Sequence, residues 1–314
     1  MPIDRKQARA FALLGLVMVL WAGNSIVARG VRGEVAPFTL AFIRWTGACL
    51  AVAPFAIGPL KRDWPEIVKG WKALLFLGLV GVAAFNAFLY SGLQYTTATN
   101  ALLLQAATPA MMVLLDRLIF GVRPGWWQII GVTASMLGVL VIVFEGDASA
   151  ALRLHFGKGD ALILCSVVVW SVYTVFLRLR PPISPVSFIA VTFFIAMVTM
   201  AVPAALEWQS GRTIAWSPHI VGAFLYVALL PSLLSYFIYN QATGVVGPAK
   251  AGQAITLMPL FGAFLSAALL GERLHPFHFV GMVFILAGIG LSLLSGARKE
   301  PAGATPNRSL EDRA

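Results

Sequence analysis

From Ala251 to Gly271 the chain carries no charged side chain. That run has the length, about 20 apolar residues, that a helix needs to cross the hydrocarbon core of a bilayer. Lipid offers no hydrogen bonds to a backbone, so a crossing segment must satisfy its own N–H and C=O groups, as a helix does. Runs of this kind begin near residues 10, 36, 71, 97, 126, 159, 184, 217, 248 and 275. They predict an all-α polytopic membrane protein with ten transmembrane helices. Two short connections, Thr96-Thr97 and Gly244 to Gly247, decide between ten spans and eight longer ones. Gly and Pro at the second, and the Tyr-Thr-Thr-Ala-Thr-Asn stretch at the first, favour breaks.

Composition agrees with lipid as the solvent. Charged residues make up 11% of the chain, against about 25% in a soluble domain, and the mean hydropathy is +0.83. A net charge of +10 in a soluble protein would suggest nucleic acid, but here the basic residues cluster between apolar runs, which is the positive-inside pattern. With the N-terminus inside, sixteen Lys and Arg fall on the cytoplasmic side and six outside, with Arg44 left within a span. Both termini are expected in the cytoplasm and the chain in the inner (plasma) membrane, with residues 298–314 a disordered cytoplasmic tail. Cys49 and Cys165 lie in mid-run and read as small packing residues rather than a disulfide pair. The first run follows Arg5, Lys6 and Arg9 like a signal peptide, yet its length and the lack of a cleavage site before Arg29 fit a membrane span.

The chain is written twice. A shift of 150 residues aligns Pro109 with Pro259, Gly121 with Gly271, Arg123 with Arg273, Gly131 with Gly281 and Gly138 with Gly288. A shift of 149 pairs Trp21 with Trp170 and Arg29 with Arg178. The expected domains are a first five-helix repeat over 1–150 and a second over 151–297. Five spans are an odd number, so the second copy must enter the membrane from the opposite face, and such inverted repeats enclose a substrate site near the midplane.

The landmarks of this unit are Trp21 and Trp170 on its first helix, Pro259, Gly271-Glu272-Arg273-Leu274, Gly281, Gly288, and the Gly247-Pro248-Ala249-Lys250-Ala251 entry to the ninth helix. On these residues the chain resembles the EamA domain of the drug/metabolite transporter superfamily over nearly its whole length. Among relatives it looks most like the YddG-type amino acid exporters. Gly121-Val122-Arg123-Pro124 departs from the pattern by lacking the acidic residue found at Glu272. The resemblance implies a transporter, not an enzyme, that moves small metabolites outward by alternating access, with amino acids, aromatic ones included, as the expected cargo.

Ionisable residues within a membrane are functional candidates by default, and this chain has few. Asp116 falls near the cytoplasmic end of the fourth span, Asp160 opens the sixth, Glu207 follows the seventh, and the histidines sit at outer loops or outer helix ends. A buried proton relay and a typical zinc site both lack members, and no cofactor is expected. What remains is uncharged polarity on aromatic helices. Asn86 and Tyr90 on the third span, and Tyr236 and Asn240 on the eighth, are pairs four apart, hence on one face, with Tyr239 adjacent. Trp21 and Asn24, with Ser25, lie on the first span, and Trp170 and Tyr173, with Thr174, on the sixth. Gln105 and Gln253 add amides. A central uncharged aromatic and amide cavity is therefore expected from Trp21, Asn24, Asn86, Tyr90, Trp170, Tyr173, Tyr236, Tyr239, Asn240 and Gln253. The alternative is that these residues are helix-packing glue and interfacial belts.

Arg44 is read as snorkelling outward or contacting backbone carbonyls, with a substrate carboxylate as the alternative. Lys250 is read as a headgroup anchor, with Asn100 as its counterpart in the first copy. Pro109 and Pro259 mark expected bends. Small residues spaced by four (Gly131 with Ser135, Ala134 with Gly138, Gly288 with Ser292) predict close helix packing, with a dimer face as the alternative; a monomer is expected. Two other functions stay in view. A multidrug or quaternary-amine exporter commonly needs a membrane carboxylate. Gly157-Lys158-Gly159-Asp160 spells the GxGD of intramembrane aspartyl proteases, which need two carboxylates at one site, and Asp116 belongs to the opposite face.

Overall fold

A computed structural model describes residues 5–96, 101, 104–105, 107–144, 146–147, 157–270 and 274–294. Asn100, the Gly271 to Arg273 landmark and the tail from residue 298 lie outside the described residues. Every regular element among the described residues is helical. In chain order they are α1 (Arg5–Gly30), α2 (Pro37–Lys69), α3 (Trp71–Tyr95), α4 (Thr108–Phe120), α5 (Trp126–Val143), α6 (Lys158–Leu179), α7 (Pro185–Gln209), α8 (Pro218–Val246), an interrupted α9, and α10 (Pro276–Leu294). Six of these, α1 to α3 and α6 to α8, are long and apolar enough to cross a membrane.

Helix starts follow the capping rules. Proline occupies the first turn of α2, α7 and α8, where its missing N–H is not needed, and the Ser184 and Ser217 hydroxyls accept from Ser187 N and Ile220 N. Gly247, at φ 85°, separates α8 from α9, a backbone conformation that side chains disfavour. α9 begins as Pro248–Ala254, tightens to a 3-10 turn over Ile255–Leu257 and resumes as Met258–Leu270. Pro259 and its counterpart Pro109 each sit just after the first residue of a helical stretch, so the expected interruptions fall at the shared prolines. Glu207 does not follow its span but lies in the last turn of α7. There it is buried, accepting from Phe38 N at 3.1 Å, Thr39 N at 2.7 Å and the Thr39 hydroxyl at 2.9 Å. It caps the start of α2, whose first N–H groups have no partner of their own.

The packing is reciprocal between the halves. α2 packs on α7, and α5 on α10; α1 meets α8 and α9, while α6 meets α3 and α4. The α5–α10 seam is built on glycine: a Cβ on Gly131 would stand 2.4 Å from Gly288 O, and one on Gly138 would stand 2.6 Å from Gly281 O. The small-residue rows thus join two helices of the same chain, as close packing requires.

α3 and α8 share a further peculiarity. Each changes to π winding in mid-course, over Gly78–Ala84 and Leu229–Leu234. In α8 the cause is visible. Pro231 has no N–H to offer Val227 O, and the Ser232 hydroxyl bonds that carbonyl instead at 2.5 Å. Leu230 O accepts both the backbone N–H and the hydroxyl of Ser235, the latter at 2.9 Å. In α3 the room comes from Gly81, where a Cβ would fall 2.0 Å from the ring of Tyr173.

Candidate functional site

The π segments release carbonyls toward the centre of the bundle, and side chains from the other half take them. Tyr236 OH donates to Gly81 O at 3.0 Å, and Trp21 Nε1 donates to Pro231 O at 3.0 Å. Gly81 and Pro231 are 150 positions apart, so the two acceptors are counterparts, although their donors are not. A second pair repeats the relation. Tyr90 OH donates to Asn24 Oδ1 at 3.1 Å, joining α3 to α1, and Tyr173 OH donates to Asn240 Oδ1 at 2.8 Å, joining α6 to α8.

Around these bonds stands a box of rings. Trp21 meets Trp170 edge to face and Tyr239 at 5.1 Å between centroids, while Trp170 also touches Tyr236 at 5.6 Å and Tyr173 at 5.2 Å. Edge-to-face and tilted contacts at these distances are the favourable ones for aromatic quadrupoles. Trp21, Trp170 and Tyr236 of this box wall a central cavity together with Asn24, Arg44, Phe85, Gln105, Ile255 and Met258. Its free volume is about 20 Å³, little more than the roughly 10–15 Å³ that one ordered water needs. Two roomier recesses flank it. One, of about 390 Å³, lies between the ends of α6 and α8 with Arg178, Arg180, Asn240 and Thr243; the other, of about 340 Å³, includes Arg32, Glu34, Gln94 and Arg212.

Of the ten residues expected from sequence, Trp21, Asn24, Trp170 and Tyr236 line the cavity directly. Tyr90 reaches it through Asn24 and Arg44, and Tyr173, Tyr239 and Asn240 form the layer behind, with Tyr239 OH 3.2 Å from the Thr174 hydroxyl. Asn86 is buried and donates to Val82 O of its own helix at 3.1 Å. Gln253 turns away, donating to Ser135 on α5 at 3.0 Å.

The expected uncharged cavity is corrected by Arg44. This side chain does not snorkel: it is 1% exposed. Its Nη1 donates to Tyr90 OH at 2.5 Å and Asn24 Oδ1 at 3.1 Å, its Nη2 to Pro231 O at 3.2 Å, and its guanidinium lies 4.8 Å from the centre of the Trp45 ring. The backbone-carbonyl contact was foreseen; the burial was not. Among the described residues no carboxylate lies within ion-pair distance of it. A guanidinium does not give up its proton in a protein, so the cavity wall carries a full positive charge. Its signal in the sequence was a charge inside an apolar run.

The two aspartates that spell competing chemistry are engaged at separate places. Asp160 accepts from Gly157 N at 2.9 Å and from the Thr96 hydroxyl at 2.5 Å at the start of α6, whereas Asp116 pairs with Arg178 at the end of α6. The intervening helical rise, about 27 Å at 1.5 Å per residue, rules out a shared carboxylate site.

A family model described as the EamA-like transporter family matches residues 9–144 and again 157–294. An uncharacterized transporter of Archaeoglobus fulgidus is 30% identical over 91% of this chain and 97% of its own length. A protein of Streptantibioticus cattleyicolor, described as a probable terminal-alkyne amino-acid exporter, is 26% identical over 96% of this chain and 99% of its own. In fold, the chain is similar to a protein of known crystal structure, with TM-score 0.71 at 18% identity over 91% of this chain and 97% of the other.

Proposed function

Because this chain belongs to the EamA-like transporter family, we propose that it carries small zwitterionic metabolites, amino acids foremost, outward across the plasma membrane. It is an integral membrane transporter rather than an enzyme. The observation that carries the reading is a narrow central aromatic cavity, with room for about one water, between two recesses of about 390 and 340 Å³. A carrier with a narrow centre between larger spaces at the two ends of its helices suits alternating access, in which two halves rock about a fixed site.

The halves in this reading are residues 1–150 and 151–297, each five helices, inverted and together crossing ten times. The counterpart acceptors Gly81 and Pro231, and the counterpart bonds of Tyr90 with Asn24 and of Tyr173 with Asn240, support the repeat. The inversion is supported by direction: the end of α1 bonds the end of α3 through Arg29 and Thr96 O, and Thr96 bonds the start of α6 through Asp160. The substrate contacts are Trp21, Asn24, Trp170 and Tyr236, with Tyr90, Tyr173, Tyr239, Asn240 and Asn86 holding them in place. Gln253 belongs to helix packing. The relative described as an amino-acid exporter supports the cargo class.

The test is flux of radiolabelled amino acids and of organic cations into proteoliposomes, with and without a pH gradient. Saturable amino acid flux indifferent to the gradient is the expected result. Cation flux that depends on the gradient, with none of amino acids, overturns the reading.

A further inference from the structure

Three residues on the wall of the central cavity hold a buried hydrogen-bond donor with nothing to donate to: Arg44, Gln105 and Trp170, the last through its indole Nε1. Arg44 uses its Nη1 and Nη2 groups on Asn24, Tyr90 and Pro231, but its Nε has no partner. Gln105, 7% exposed and on the cavity wall, has no partner for its Nε2. Native interiors rarely leave such atoms unpaired, and the cost is greatest where the donor is charged. The acceptors around Arg44 are all neutral, so the charge itself also goes unanswered within the described residues. All three vacancies are of one kind: they call for an acceptor, and at Arg44 for a negative one.

We propose that Arg44 and Gln105 are the carboxylate-reading end of the transport site. The cargo sets its carboxylate against Arg44 Nε and Gln105 Nε2, and its apolar body enters the box of Trp21, Trp170 and Tyr236. An ammonium group on the cargo is received by the ring faces, which attract cations without needing an acidic partner. Arg44 in turn is held for this task by Asn24 Oδ1 and Tyr90 OH, which fix the guanidinium without neutralising it. The site therefore admits carboxylates, zwitterionic or anionic, and refuses amines that lack one, because such an amine would meet a fixed positive charge and leave both donors unpaired. At about 20 Å³ the cavity is too narrow for the cargo in this conformation, and the cargo occupies it when the helices part.

This inference rests on the transporter reading above and names the group by which the cargo is recognised. The experiment is competition against radiolabelled phenylalanine flux in proteoliposomes of the full chain. The competitors are phenylalanine, 3-phenylpropionate, which keeps the carboxylate and drops the ammonium, and phenylalanine amide and phenethylamine, which keep only the cation. In the unaltered protein the two carboxylates compete and the two amines need at least about tenfold higher concentration, the span expected when a charge-assisted bond is lost. Arg44→Gln weakens both carboxylates roughly ten- to hundredfold and erases the preference over amines, and Gln105→Leu weakens them several-fold. Thermal unfolding in detergent checks that each variant is folded; if Arg44→Gln is not, Gln105→Leu and the competitors on the unaltered protein still decide. Equal competition by phenylalanine and its amide overturns this inference while leaving amino acid transport standing. So does a folded Arg44→Gln that keeps the preference. A protein that moves no amino acid at all overturns both.

Discussion

Trp21 and Trp170 meet edge to face, with ring centroids 5.0 Å apart and planes at 88°. They are the same position in the two copies of the chain, 149 residues apart, and their contact joins the halves at the cavity wall. Trp170 also touches Phe85, Tyr173, Tyr236 and Tyr239. Trp170→Ala is expected to cost about 3–5 kcal/mol of stability, as deletion of a packed aromatic does, and to reduce amino acid flux at least tenfold. Trp170→Phe should recover most of the stability and less of the flux. Trp64, 61% exposed, serves as the control, since its alanine variant should change the unfolding midpoint little.

The glycine seam between α5 and α10 predicts a contrast within one residue type. Gly131→Ala sets a methyl against Gly288 O, a backbone atom that cannot turn aside, and should destabilise by about 1–3 kcal/mol. Gly15→Ala in α1 meets nothing within 4 Å and should be neutral or stabilising by about 0.5–1 kcal/mol, the helix preference of Ala over Gly. Unfolding midpoints in one detergent compare the two directly; equal shifts would contradict the seam.

Glu207 holds two backbone N–H groups and a hydroxyl at the start of α2. Glu207→Ala leaves them buried and unpaired, so a loss of about 2–4 kcal/mol is expected. Glu207→Gln keeps one acceptor oxygen and should lose roughly half as much. Hydrogen exchange at Phe38 and Thr39 should rise in both variants, faster in the alanine form.

Asp116 and Arg178 tie α4 to the end of α6, with the guanidinium also 4.3 Å from the centre of the Phe120 ring and donating to Val175 O. A double-mutant cycle of Asp116→Asn and Arg178→Gln should give a coupling energy of about 1–3 kcal/mol. A coupling near zero would reduce the pair to a surface contact.

Orientation is open to a direct measurement. A fluorescent protein fused after Ala314 should light up, and a phosphatase fused there should stay silent, if the C-terminus is cytoplasmic as the Lys and Arg distribution requires. The reverse pattern would invert every side assignment, while leaving the packing untouched.

Much of this architecture could be read from residue type and spacing. Gly131 with Ser135, Ala134 with Gly138 and Gly288 with Ser292 marked α5 and α10 as closely packing helices, but their spacing did not say that the two pack on each other. Trp21, Asn24, Trp170 and Tyr236 were legible as cavity residues because their spacing puts rings and amides on one helical face. The failures were failures of rotation. Arg44 was seen, but its acceptors come from positions 20, 46 and 187 residues away, and nothing in its own run tells which way it points. Gln253 sits at cavity depth, yet Ser135, 118 residues off, decides its direction. The π winding has no signature in hydropathy, although Pro231 followed by Ser232 contains its cause.

That winding imposes a length rule on the gene. A π segment holds one residue more in each hydrogen-bonded ring than an α-helix would, i→i+5 in place of i→i+4. Loss of one codon within Gly78–Ala84 or Leu229–Leu234 would let the helix relax to ordinary winding with the residues beyond it close to their present phase, whereas loss of one codon from an α-helical turn rotates everything beyond it by about 100°, one residue's share of a 3.6-residue turn. Asn86 and Tyr90 follow the first segment, and Tyr236, Tyr239 and Asn240 the second. Those five side chains would therefore keep their faces if a triplet were lost inside a π segment, whereas a triplet lost from the α-helical turns after it would swing every later side chain out of phase.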